Sequence, residues 1–291
     1  MLYAAIDLGG TKIAGALGYS DGTLVAQRTI PTEAEHGPEH VIARIVSLLR
    51  EFGNSPAALG VGVPGLVDRS SGDVLFLPNL ATQWRGVPLA RSLHASLRIP
   101  VRVLNDARAA TLGEFRFGHS APNMLLYTLG TGIGGGVIID GKLRLGPLGA
   151  AGELGHQVIE PDGPPCTCGS RGCLETLASG PALARAGSAL LARPVTVAEM
   201  VGLPECRPLF TRAGQYLGIA AANMISALHP NLIVYGGGLS ALGDLLLGPI
   251  ESTIAERVRM FPLTGIRLEC SALGDQAGLL GALALAALDL S

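Results

Sequence analysis

Charge, aromatic rings and long apolar runs are all scarce in this 291-residue chain. Charged residues make up 15% and aromatic residues 4%, with a single tryptophan. So few rings argue against recognition by aromatic stacking. A net charge of −2 excludes the broad basic surface that a general nucleic-acid or acidic-membrane partner requires. The longest apolar runs, such as 279–288, are too short to span a bilayer. The first residues, Met1-Leu2-Tyr3-Ala4-Ala5-Ile6-Asp7, lack a basic segment and reach an acid too soon for a signal peptide. Five cysteines, an odd number without a signal, point to a reducing cytoplasm, where a cysteine cluster means metal rather than disulfides. Cys206 and Cys270 lie outside any cluster and read as small core residues.

What the chain does have is length for two domains and an abundance of glycine and alanine, which suits close-packed helices and phosphate-binding turns. It also has one dense stretch. Between Gly152 and Glu175 stand Cys166, Cys168 and Cys173, with His156 ten residues ahead of the first cysteine. Three thiolates and an imidazole complete the closed tetrahedral shell of a structural Zn2+ site. The alternative is three unrelated thiols in a loop, with at most one disulfide. Glu153 and Glu175 bracket the cluster, so a metal there would fix two carboxylates and a histidine in one place.

The rest of the chain alternates strands and helices. Residues 2–6 form a strand ending at Asp7, followed by Leu8-Gly9-Gly10-Thr11-Lys12 and two further strands, over 13–17 and 23–28. Glycines in such a turn bring backbone N–H groups close to a ligand. The turn suits phosphate, with Asp7 placed to hold Mg2+ through water; the alternative is a plain hairpin. The pattern recurs at 123–139, where Gly130-Thr131-Gly132-Ile133-Gly134-Gly135-Gly136 separates two strands. A repeated hairpin suggests two similar halves facing one nucleotide. A helix is expected over 39–52, a strand over 59–63, a helix over 87–97, and a strand over 101–104 ending in Asn105-Asp106. Ligands sit at the carboxyl ends of strands in open α/β sheets, so Asn105-Asp106 is placed for chemistry on a hydroxyl. Asp106 can equally be a helix cap. Helices are expected over 175–193 with a break at Gly180-Pro181, over 196–201 and over 208–228. A strand over 231–235 leads into Gly236-Gly237-Gly238. Helix follows over 241–260 with a break at Gly248-Pro249, then a strand over 266–270 and an amphipathic terminal helix over 275–290.

Taken together, these pieces resemble the ROK family of sugar kinases, and within it the bacterial glucokinases. The resemblance is carried by Asp7-x-Gly9-Gly10-Thr11-Lys12, Gly62-Val63-Pro64-Gly65, Leu77-Pro78-Asn79-Leu80 and Asn105-Asp106-Ala107. It continues through 129–136, Gly152-Glu153-Leu154-Gly155-His156, the cysteine block to Glu175, and Gly236-Gly237-Gly238. It implies an α/β, actin-like and ribonuclease-H-like architecture of two domains flanking a cleft, here 1–117 with 276–291, and 118–275. It implies an ATP-dependent kinase acting at the 6-hydroxyl of glucose, with Asp106 as general base. Sugar would be bound by Asn79, Asn105, Asp106, Glu153, His156 and Glu175. The nucleotide would be bound by Asp7, Gly9, Gly10, Thr11, Lys12, Gly130, Thr131, Gly132 and Gly134, with Gly236, Gly237 and Gly238 beside the adenosine. Zn2+ would be held by His156, Cys166, Cys168 and Cys173 as a structural ion, with Mg2+ serving the nucleotide. The family also implies a homodimer or homotetramer. Its sugar-responsive repressors carry a DNA-binding domain ahead of the first glycine turn, and none is expected before Asp7. Mannose, fructose or N-acetylmannosamine kinases share these blocks.

Overall fold

The computed structural model of the protein describes residues 1–77 and 80–288. They form two compact units. The first takes in residues 1–120, 143–151 and the chain from Asp275 on; the second takes in 121–142 and 152–274. The sequence places 143–151 with the later domain, but this segment packs with the first unit.

In the first unit, strands β1 (Leu2–Leu8), β2 (Lys12–Tyr19) and β3 (Leu24–Pro31) make an antiparallel meander. Helix α1 (Pro38–Glu51) follows. Its first-turn proline presets the helical φ, and Val41, Ile45, Leu48 and Leu49 bury one stripe. Strand β4 (Leu59–Val63) pairs in parallel with β1 and is buried along its whole length, as a strand covered on both faces must be. A short hairpin, β5 (Leu66–Val67) and β6 (Val74–Phe76), leads to α2 (Leu89–Leu97), β7 (Val101–Asn105) and α3 (Asp106–Phe117). The sheet order is β3-β2-β1-β4-β7, so the carboxyl ends of β1, β4 and β7 lie side by side.

The second unit repeats the scheme. Strands β8 (Met124–Leu129), β9 (Ile133–Ile139) and β10 (Lys142–Leu143) precede α4 (Leu174–Ala178), α5 (Gly180–Leu191), α6 (Val197–Val201) and α7 (Arg207–Leu228). Strand β11 (Leu232–Gly236), helix α8 (Asp244–Arg257) and strand β12 (Arg267–Cys270) complete it, in the order β10-β9-β8-β11-β12. Helix α9 (Ala277–Ala286) returns to the first unit. Among the described residues no helix is long and apolar enough to cross a membrane.

Three expectations are corrected. The glycines at 134–136 belong to β9, which begins at Ile133, so the turn is shorter than the glycine run. Glycine suits this strand because the loop after Gly152 presses on it: a Cβ at Gly135 would stand 2.7 Å from Leu154 Cδ1. Helix α8 runs through Pro249 without a break. Its proline ring packs against Gly214 of α7, where the missing side chain leaves room for it, and the Pro249 carbonyl also accepts from Thr253 Oγ1 at 2.8 Å. Helix α9 is not amphipathic; nine of its ten residues are buried. It is wedged between α3 and strands β1 and β4, so close to α3 that a Cβ at Gly281 would fall 1.7 Å from the Ala109 carbonyl oxygen.

Candidate active site

Two carboxylates meet at the strand ends of the first unit. Asp7 is the penultimate residue of β1 and pairs across to Gly62 of β4, which pairs in turn with Leu104 of β7. Asp106 opens α3 directly after β7. A Cβ at Gly62 would lie 3.7 Å from Asp7 Oδ1 and 3.7 Å from Asp106 Cα, so the two acids flank one glycine. Burial raises the Asp7 carboxyl above the ordinary range, opposed by the nearby Lys12 charge. A carboxylate in that condition gains from a bound cation.

The cap of α3 is Asn105, not Asp106. Asn105 Oδ1 accepts from the Arg108 backbone N–H at 3.2 Å and from Arg108 Nη1 at 3.0 Å, while Nδ2 donates to the Gly65 carbonyl at 3.0 Å. That leaves Asp106 at the first helical position, where its Oδ1 accepts from the Ala107 N–H at 2.7 Å and the positive helix end favours its anion. Arg108 is 1% exposed and also donates to the carbonyls of Ala151 (3.0 Å) and Ala150 (3.3 Å). Its only signal in the sequence is a lone arginine amid Ala107, Ala109, Ala110 and Leu112.

Each sheet carries one tight glycine turn. In the first, the Gly9 N–H donates to the Lys12 carbonyl at 2.9 Å; in the second, the Gly130 N–H donates to Gly132 at 2.9 Å. The following N–H pairs, Gly10 with Thr11 and Thr131 with Gly132, have no hydrogen-bond partner among the described residues. Thr11, Lys12 and Thr131 are exposed. The first turn is braced by Thr32, fully buried, whose Oγ1 donates to the Gly9 carbonyl at 2.8 Å and whose N–H donates to Thr11 at 3.0 Å. Nothing in the sequence marks Thr32. Gly134 sits in β9 opposite Thr128, outside the turn. Gly236 ends β11, and Gly237 (φ 81°) and Gly238 open the turn beyond it, where Gly237 abuts the Leu129 carbonyl at the end of β8.

The cysteine stretch gathers as its spacing requires. His156 Nδ1 lies 3.6 Å from Cys166 Sγ, and Cys168 Sγ lies 3.7 Å from Cys173 Sγ. All four donor atoms fall within 4.8 Å of one another. A tetrahedron with Zn–S near 2.3 Å and Zn–N near 2.0 Å has edges of about 3.5–3.8 Å, so the two short separations fit such a shell. Burial and the neighbouring thiols push the Cys173 thiol up to about 12, whereas the Ser170 N–H lowers that of the exposed Cys168. A divalent cation would convert such crowded thiols to thiolates. Glu175, two residues past Cys173, accepts from the Ile133 N–H at 2.9 Å through Oε2. Glu153 is exposed. Asn79 lies outside the described residues.

The model of the ROK family matches residues 3–288. The glucokinase of Streptomyces coelicolor is 35% identical over 98% of this chain and 97% of its own. That of Thermotoga maritima is 36% identical over 95% and 94%. A crystal structure of a ROK family glucokinase from Streptomyces griseus, in complex with glucose and AMPPNP, superposes with a TM-score of 0.83 at 33% identity, covering 98% and 99% of the two chains. More broadly, an N-acetylmannosamine kinase of Vibrio cholerae matches at 34% over 88% and 90%, and a xylose repressor of Caldicellulosiruptor bescii at 32% over 80% and 63%.

Proposed function

The chain belongs to the ROK family and has its actin-like ATPase fold, and from that premise we propose that it is an ATP-dependent hexose kinase, a glucokinase phosphorylating the 6-hydroxyl of glucose. The observation that carries the reading is the placement of Asp7 and Asp106 on either side of Gly62 at the strand ends. Phosphoryl transfer needs in-line positioning, charge neutralisation and a base for the acceptor hydroxyl, and little else from the protein.

Asp106 is the base. Its carboxylate accepts the hydroxyl proton as the oxygen–phosphorus bond forms, a contribution of roughly 10²–10⁴-fold. Asn105 caps the helix beneath it and has one amide proton left over after bonding Gly65, which suits a sugar oxygen. Glu153, His156 and Glu175 supply further groups for sugar hydroxyls, with Asn79. A site built to bond hydroxyls rejects analogues that lack them, because its polar groups would be left unpaired. The N–H pairs of Gly10-Thr11 and Thr131-Gly132 take the phosphates, and Gly236, Gly237 and Gly238 border the adenosine. Asp7 would hold Mg2+ through water, since Mg2+ dehydrates reluctantly; the ion neutralises phosphate charge. His156, Cys166, Cys168 and Cys173 would hold Zn2+ as a structural ion. With His156 Nδ1 toward the sulfurs, the other ring nitrogen is left to face sugar.

The test is a coupled assay with Mg2+–ATP over a panel of hexoses, beside Asp106→Ala. Turnover that is best on glucose and lost in the variant supports the reading. Turnover that is best on N-acetylmannosamine, mannose or fructose would keep the mechanism and change the acceptor. No turnover on any hexose would sink it.

A further inference from the structure

Glu175 stands where three things join. It is the second residue of α4, whose preceding residue is the cluster cysteine Cys173. Its Oε2 accepts from the Ile133 N–H at 2.9 Å, and a Cβ at Gly132 would come within 2.4 Å of that same oxygen. Five residues on, the Gly180 N–H donates to the Gly130 carbonyl at 2.9 Å. One short segment, 175–180, therefore grips the 130–133 turn at both ends. The gripped groups are the Gly130 carbonyl and the Ile133 N–H, so the two unpartnered N–H groups, of Thr131 and Gly132, are left outward between them. Glu175 Oε1 has no hydrogen-bond partner among the described residues.

We propose that Glu175 is a positioning residue for the phosphate donor as well as a ligand of the sugar: Oε2 fixes the 130–133 turn while Oε1 is left for a sugar hydroxyl. The inference rests on the kinase reading above. A carboxylate is an unexpected neighbour for a phosphate-binding turn, because its charge repels the ligand. Its value there is geometric. A hydrogen bond to a charged acceptor is stronger than a neutral one and holds the backbone in place before the nucleotide arrives. The same grip links the cysteine cluster to the nucleotide, since Cys173 sets where α4 begins. Loss of the structural metal would thus loosen the phosphate turn even when no sugar is present.

The experiment measures binding of AMPPNP with Mg2+ by calorimetry in the absence of sugar, with glucose affinity measured separately. Each variant's fold is checked by circular dichroism and its zinc content by elemental analysis. Glu175→Ala is expected to weaken AMPPNP binding about tenfold, the fold-change of one charge-assisted hydrogen bond. Glu175→Gln, whose amide oxygen can still accept from Ile133, should restore it. Gly132→Ala, whose Cβ would displace the Glu175 carboxylate from Ile133, should weaken AMPPNP binding measured without sugar. The double variant should lose less than the sum, because the clash disappears with the carboxylate. Wild-type protein stripped of zinc should also bind AMPPNP more weakly. If Glu175→Ala weakens glucose alone, with AMPPNP unchanged, the positioning role is overturned and the kinase reading stands. If the wild type binds no nucleotide at all, the kinase reading falls and takes this inference with it.

Discussion

Arg108 donates from Nη1 to Asn105 Oδ1 at 3.0 Å, reaching back over one turn of α3 to the residue that caps its own helix. The same guanidinium holds the carbonyls of Ala150 and Ala151, immediately before Gly152-Glu153. One buried cation thus orients the helix start on which Asp106 stands and anchors the end of the 143–151 segment. Arg108→Met takes this donor from the Ala150 and Ala151 carbonyls and leaves Asn105 Oδ1 only the backbone N–H of residue 108, and is expected to cost about 2–4 kcal/mol in chemical denaturation. Arg108→Lys should recover part of the stability but less of kcat, because an ammonium cannot reproduce the planar fork.

Asp106→Asn keeps the size and the acceptor for the Ala107 N–H but removes the proposed base. We expect kcat to fall by roughly 10²–10⁴ with glucose affinity nearly intact. Single-turnover kinetics beside glucose titration of the variant will check this. A loss confined to KM would assign Asp106 to binding alone.

Asp7 carries a cost in the free protein. Burial raises its folded pKa above the unfolded value, so the folded state keeps its proton to higher pH and stability falls as pH rises between the two. Lys12 offsets part of the penalty. Asp7→Asn should therefore raise the thermal midpoint at pH 7 and leave it unchanged near pH 3, where the carboxyl is protonated in both states. The same variant should lose Mg2+-dependent nucleotide binding. Parallel melting curves at the two pH values decide the first point.

Thr32→Val removes one hydroxyl of nearly the same shape. The Gly9 carbonyl loses its donor, at a cost of about 1 kcal/mol. Because the bond braces the first glycine turn, the KM for ATP should rise about three- to tenfold while that for glucose stays put. Equal effects on both substrates would show that Thr32 supports the fold only.

Periodicity and punctuation made much of this molecule legible. The meander around Gly9-Gly10, the buried strand at 59–63, the β7–α3 junction and the histidine–cysteine cluster all depend on residues close in sequence, and their residue types announce them. What stayed hidden depends on residues far apart. Thr32 looks like any strand-end threonine until β3 lies beside the first turn. Nothing near Arg108 in the sequence shows that residues 150–151 will fold over it. The glycines at 134–136 mimic a long turn because glycine reports close approach as well as bending, and here it is Leu154 that approaches. Pro249 suggested a break because no local rule shows Gly214 accommodating it. The uniform apolarity of α9 has no polar face to orient, so its sequence could not say that neighbours cover it on every side.

That covered helix has a bearing on how the chain is made. A ribosome delivers residues 121–142 and 152–274, the whole of the second unit, before Ala277–Ala286 exists. The second unit can assemble while synthesis is still under way, whereas the sheet bearing Asp7 waits with its apolar face unshielded until α9 emerges. Strands β1 and β4 are thus made well before the helix that covers them, and a nascent chain arrested before residue 277 would expose them to aggregation or to chaperones.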